Sequence, residues 1–291
     1  MDDPYPFALC LTHDVDRPYK TYQSWYYALR ERSPYHLRTA LTSENPYWRF
    51  ERLMAIEEEL GVRSAFYVLN EPHILTKPPR ALSDPTRWLE HLGRYDPTSL
   101  EMAAAIRSLD RGGWEIGLHA SYDSAGSESR LREEKRVVEG VVGHEVRGVR
   151  HHHLRIEGRE TWEKHARIGL RYDTSLGSAS SYGYEHGYRP LRPFGDEFLV
   201  FPLTLMEVAL PDVAAAPERA WSVCERLLAE ARENRAVCTV LWHPRYFDER
   251  EFPGFTELYR RLVDRALAMG AWVGPPGELH GRLVDGPIAD C

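Results

Sequence analysis

Short apolar blocks and longer stretches of mixed polarity alternate along the chain. Blocks at residues 7–12, 63–69, 114–119, 146–150, 170–174, 198–205, 237–242 and 271–273 are rich in Val, Ile, Leu, Tyr, Phe and Trp. Their length and composition predict strands. Between them the period changes. "ENPYWRFERLMAIEEELG" places Phe50, Leu53, Met54, Glu57 and Leu60 at helical spacing and stops at Gly61, a residue suited to a helix C-terminus. "PTSLEMAAAIRSLDRGG", "SESRLREEKRVVEGVVG", "GRETWEKHARIG", "PERAWSVCERLLAEARENR" and "GFTELYRRLVDRALAMG" read the same way. Strands separated by single helices imply parallel pairing through right-handed crossovers. About seven such units predict a closed α/β barrel rather than an open sheet.

Two segments break the rhythm, at about 17–48 and 70–97. The first is rich in Tyr, Trp, Arg and Pro; the second holds five prolines. Both follow a predicted strand, where the loops of a parallel barrel build the substrate face. In the first, Trp25, Tyr26, Tyr27 and Tyr35 suggest packing, from the spacing of positions 25 and 29. With no repeat or linker, residues 1–291 read as a single domain carrying two loop insertions.

Composition narrows the function classes. Hydrophobic residues make up 43% and charged residues 28%, as expected of a globular protein. The net charge of −7, with the cations scattered, argues against nucleic acid as a partner, because phosphate neutralisation needs a basic face. No apolar run is long enough for a membrane span. The start "MDDPYPFALCLTHD" has acids where a signal peptide carries a basic segment. Cys10, Cys224 and Cys238 sit inside apolar or helical patterns and read as reduced core thiols; Cys291 has no assigned role. A cytoplasmic protein is the expectation.

Chemistry gathers at strand ends. "LTHDVD" presents Asp14 and Asp16 two positions apart, on one side of an extended chain, with His13 directed elsewhere and expected to pack beneath. Two close carboxylates repel unless a cation lies beside them. The pair alone also fits two solvated loop acids. Other strand ends add to it: His119 with Asp123 four residues on, Arg150 followed by His151, His152 and His153, and His243. A barrel whose strand C-termini converge would gather them at one mouth. Asp and His donors suit a divalent metal such as Zn²⁺, with one position left for water. A hydrolase with an Asp base and a His acid fits the set.

The ordered motifs "THDVD", "EIGLHASYDS", "RHHHLR", "YDTSLG" and "LWHPRYFD" resemble the polysaccharide deacetylase superfamily (the NodB-homology or carbohydrate esterase 4 group), and within it a cytoplasmic-type branch with DVD in place of an adjacent Asp pair. The resemblance runs from about residue 7 to 275 and implies a distorted (β/α)₇ barrel holding one divalent metal, often zinc. It implies removal of an N-acyl group, acetyl foremost, from a sugar, nucleotide sugar or saccharide. It makes Asp14 the general base, Asp16 and His119 metal ligands, Arg150 the group that orients the base and pairs with Asp173, and His243 the proton donor or oxyanion partner. Asp173 or Asp248 would raise the His243 pKa. The family's second motif has a His where this chain has Asp123, so either Asp123 or His152 is the third ligand. Two other functions stay open: a C–N hydrolase acting on a non-sugar cyclic amide, and a barrel that binds glycan without cleaving it.

Overall fold

The apolar run ahead of the first His–Asp cluster becomes the strand around which the sheet is built. The computed structural model describes residues 4–77, 79–195 and 197–284; Cys291 lies outside the described residues. Strand β1 (Ala8–Val15) pairs with β2 (Ala65–Leu69), and beyond it stand β3 (Glu115–Ala120), β4 (Gly148–His151), β5 (Tyr172–Asp173) and β6 (Leu199–Val200). On the other side β1 pairs with β8 (Val237–Leu241), which pairs with β7 (Leu203–Met206); β9 (Trp272–Gly274) also joins β1. Every named strand pair is parallel. Each predicted strand is therefore present. The block at 198–205 is split, because Pro202 has no N–H to give the ladder. Its first half pairs with β5 and its second with β8. The sheet thus curls until its two ends meet in one continuous segment. With β6 and β7 counted as one broken strand, seven strand positions circle the axis and β9 is an extra partner of β1. This is a distorted (β/α)₇ barrel.

Helices α1 (Tyr22–Glu31) and α2 (Pro34–Leu41) form the first insertion, and α4 (Pro85–Leu92) lies in the second. The crossover helices are α3 (Phe50–Leu60), α5 (Leu100–Arg111), α6 (Glu128–Val142), α7 (Arg159–Arg167), α8 (Pro217–Asn234) and α9 (Phe255–Ala268), followed by α10 (Pro276–Val284). Gly61 ends α3 at φ 69°, a left-handed value that suits glycine.

Side chains alternate between two apolar layers. Leu9, Leu11, Phe66, Val68, Ile116, Leu118 and Val149 face the helices. Ala8, Cys10, Ala65, Tyr67, Tyr172 and Val237 fill the barrel. His13 belongs to the outer layer. Its Nε2 meets Glu57 Oε1 at 2.9 Å and its Nδ1 meets the Trp242 carbonyl. Glu57 also accepts from Trp114 Nε1 at 2.7 Å and from the Tyr259 hydroxyl at 2.6 Å. Cys10, Cys224 and Cys238 are buried free thiols.

Inside the barrel, Tyr172 donates to Glu115 Oε1 at 2.7 Å and lies 3.3 Å from the Tyr67 hydroxyl. Gly148 makes room for that ring: a Cβ there would overlap the Tyr172 hydroxyl. Gly148→Ala is expected to destabilise the fold by about 1–3 kcal/mol through overpacking. A thermal melt at the parent midpoint would show instead that Tyr172 can yield.

Candidate active site

Period-two alternation carries the interior side of each strand up to the barrel mouth, and the residue types there change from apolar to ionisable. On β1 the interior series Ala8, Cys10 continues as Thr12 and Asp14. On β4 it runs from Gly148 to Arg150, and on β3 from Gly117 to His119. Arg150 is fully buried. Its Nη1 donates to Asp14 Oδ1 at 3.0 Å and to Thr12 Oγ1 at 2.8 Å, its Nε donates to the Thr174 carbonyl at 3.1 Å, and its guanidinium lies 4.9 Å from the Tyr67 ring centre. A buried cation with this many fixed acceptors holds Asp14 in one orientation.

His119 stands on the other oxygen of Asp14, with Nε2 3.8 Å from Oδ2. Its Nδ1 lies 3.0 Å from the Arg150 carbonyl. A carbonyl only accepts, so Nδ1 carries the proton and the Nε2 lone pair is directed into the mouth. Burial lowers the His119 pKa; the charges of Asp14 and Asp16 offset this only in part. The ring is therefore neutral, as a ligand imidazole must be. The His152 ring lies 5.2 Å from that of His119, in the turn directly after β4.

The second half of the mouth comes from β1 and the segment after β8. Asp16 Oδ1 accepts from Arg245 Nη1 at 3.0 Å, and Asp16 Oδ2 lies 4.0 Å from His243 Nε2. Burial alone would raise the Asp16 carboxyl, but Arg245, then His243, Arg17 and His152, hold it far below the ordinary carboxylate range. His243 Nδ1 meets Glu207 Oε1 at 2.6 Å. Burial pushes the His243 pKa down, yet the buried Glu207 carboxylate and, less strongly, Asp16 outweigh it, and the net direction is upward. Asp14, Asp16, Phe50, His243 and Arg245 share a narrow cleft.

Several expected neighbours stand elsewhere. Asp173 does not pair with Arg150. Tyr172 points into the barrel, so Asp173, the next residue on β5, faces the helices. There it accepts from Ser175 N at 2.7 Å and Ser175 Oγ at 2.9 Å, and lies 3.4 Å from His165 Nδ1. Burial raises its pKa to about 6, against these hydrogen bonds. Asp248 serves Arg49 rather than His243. Asp123 lies 3.2 Å from Arg87 Nη2 and 3.8 Å from Lys77 Nζ, so two protein cations already attend it. His151 is buried on the outer side, 2.9 Å from His165. Glu207 and Arg245 were not singled out in the sequence. Both follow an apolar strand end, the same signal that marks His119 and His243.

Among the described residues no three His, Cys, Asp or Glu side chains form a ready-made ion cage. The donor chemistry nonetheless suits a divalent ion. One imidazole has its tautomer set by a backbone carbonyl, as ligand histidines usually do. At the same mouth lie the ionised Asp16 carboxylate and the His152 imidazole.

No protein-family model matches the sequence, and no curated protein matches it. Solved structures do. A Mycobacterium smegmatis structure described as a candidate polysaccharide deacetylase aligns over 98% of this chain and 92% of its own, with a TM-score of 0.62 and 19% identity. A Pseudomonas aeruginosa structure described as a probable polysaccharide deacetylase aligns over 97% and 95%, at 0.57 and 14%. Puue allantoinase aligns over 97% and 92%, at 0.60 and 13%. At such identities the likeness is one of fold.

Proposed function

We propose that this chain, which carries the polysaccharide deacetylase fold, is a hydrolase of carbon–nitrogen bonds that removes an N-acyl group, acetyl foremost, from a sugar, nucleotide sugar or saccharide. The observation that carries the reading is the meeting at one mouth of a carboxylate held by Arg150 and an imidazole held by Glu207. Asp14 is a buried carboxylate fixed by Arg150, and His243 is an imidazole kept protonated to higher pH by Glu207. A hydrolase needs both a proton acceptor and a proton donor.

Asp16, His119 and His152 would hold a divalent metal, zinc foremost. His152 is preferred over Asp123 because its ring lies 5.2 Å from that of His119, whereas Asp123 faces Arg87 and Lys77. When bound, the ion would activate water and polarise the acyl oxygen. Asp14 takes a proton from the attacking water on its Oδ2 side, while Arg150 holds Oδ1. His243 gives a proton from Nε2 to the departing amine, and Glu207 holds Nδ1 throughout. Arg245 keeps Asp16 ionised and oriented. The bond broken is the acyl C–N bond, and the products are a carboxylate and a free amine.

The test is release of acetate from a panel of N-acetylated sugars by the zinc-loaded protein. Activity should vanish on chelation and return with metal. His152→Ala should lose bound metal in elemental analysis, and Asp123→Asn should keep it. The reverse pattern would transfer the ligand role to Asp123. A second reading, hydrolysis of a non-sugar cyclic amide, draws support from the allantoinase likeness, and activity confined to small cyclic amides would favour it. Saccharide affinity without turnover by the metal-loaded protein would make the barrel a binding module and overturn both.

A further inference from the structure

The first insertion is built inside out. An ordinary surface helix turns its apolar stripe inward. Here α1 buries Gln23 and Ser24, and α2 buries His36 and Thr39 together with Tyr35. The apolar residues face outward: Leu29 is 80% exposed, Leu41 67%, Tyr26 51%, Trp25 50% and Leu37 44%. The spacing of positions 25 and 29 does mark one helix face, but it is the solvent face, so the expectation that it packs is corrected.

Polar contacts hold the hairpin in this orientation. Thr39 Oγ1 donates to Ser24 Oγ at 3.2 Å. The buried Lys20 bonds Glu251, lies 2.8 Å from His36 Nδ1, and sits 5.2–5.8 Å from the rings of Tyr27, Tyr35 and Tyr47. The buried side of the hairpin is thus a polar one, tied to Glu251 through Lys20. Single exposed apolar residues are ordinary; five on two packed helices whose polar residues point inward are not.

We infer that this hairpin docks on the surface of an anionic lipid bilayer. The argument is charge and residue type together. The chain is net −7, but residues 17–48 hold five Lys and Arg against two Glu. Arg30, Arg32 and Arg38 are exposed beside the apolar residues. Trp, Tyr and Leu bordered by arginine are the residues an interfacial helix places at the headgroup level. Glu44 pairs with Arg38 at 2.9 Å and Glu31 with His36 at 2.9 Å, so neither acid stands alone in the patch. A second copy of the chain across a two-fold axis would bring arginine against arginine, which disfavours that occupant. At 10 residues α1 lies on a membrane rather than crossing it, and no described helix is long and apolar enough to cross one. The insertion follows β1 directly, so the bilayer would lie beside the mouth that holds Asp14 and Asp16. This inference concerns attachment and does not depend on the reaction.

Flotation of the full chain with vesicles tests it. The protein should rise with vesicles of equal parts phosphatidylglycerol and phosphatidylcholine and stay behind with phosphatidylcholine alone. Trp25→Ser with Leu29→Ser should weaken binding at least about tenfold, from the apolar burial lost. Arg30→Gln and Arg32→Gln should each weaken it about fivefold. These positions are exposed, so thermal melts should match the parent. Failure to float with anionic vesicles would overturn the inference. So would a dimer in sedimentation velocity that the Trp25→Ser, Leu29→Ser variant converts to monomer, since a second copy would then cover the patch.

Discussion

Asp14→Asn is expected to lower turnover by about 10²–10⁴-fold, the usual contribution of a positioned proton acceptor, while metal uptake stays at the parent level. The variant separates chemistry from architecture. Asn still offers an oxygen to Arg150 Nη1, now 3.0 Å from Asp14 Oδ1, so the guanidinium keeps an acceptor although it loses a counter-charge. Asp14→Ala removes both, and stranding a buried cation should cost about 3–5 kcal/mol. Asp14→Asn should therefore melt above Asp14→Ala and below the parent. Acetate release and thermal melts on the three proteins check this. Parent-like turnover by Asp14→Asn would remove Asp14 from the acceptor role, whatever its effect on stability.

Glu207→Gln should cut turnover at pH 7 by about ten- to a hundredfold and change the shape of the pH profile. The sign follows from the direction of the His243 shift. Glu207 lies 2.6 Å from His243 Nδ1, and with it in place the net shift of that imidazole is upward. The proton-donating form is therefore complete at low pH and is lost as pH rises through the elevated value. Gln keeps a hydrogen-bond acceptor but no charge, and Arg245, which opposes protonation, remains. The alkaline limb should move to lower pH, with the acidic limb unmoved. A profile of kcat against pH in parent and variant reads this directly. A uniform loss at every pH would make Glu207 a packing residue rather than the group that tunes the donor.

The strand pattern was legible because each strand is apolar on both sides and bounded by polar turns, and the site residues showed because they interrupt that pattern at its C-terminal end. What stayed hidden depends on which side of a strand or helix faces inward. Asp173 follows Tyr172, and once the barrel interior is seen to hold Tyr172, Asp173 must face the helices and cannot reach Arg150. Glu207 and His243 are 36 positions apart and meet only because β7 and β8 are neighbours. The break at Pro202 could be read from the missing N–H, but the change of partner it allows could not. In the first insertion, the helical period of Trp25 and Leu29 gives a face without saying what it faces. Ser24, His36 and Thr39 take the inner side because Lys20 and Glu251 offer a polar layer there.

The alternation on β1 also guards against misassembly. His13 stands opposite Phe66 and Asp14 opposite Tyr67 in the ladder. A slip of one residue would turn Asp14 into the greasy layer under α3 and α9, away from Arg150, and would push His13 into the lumen, stripped of Glu57. Two buried polar side chains would lose their partners at once, on opposite sides of the same strand. The hexapeptide that supplies the chemistry thereby proofreads the alignment of the strand on which the barrel is assembled.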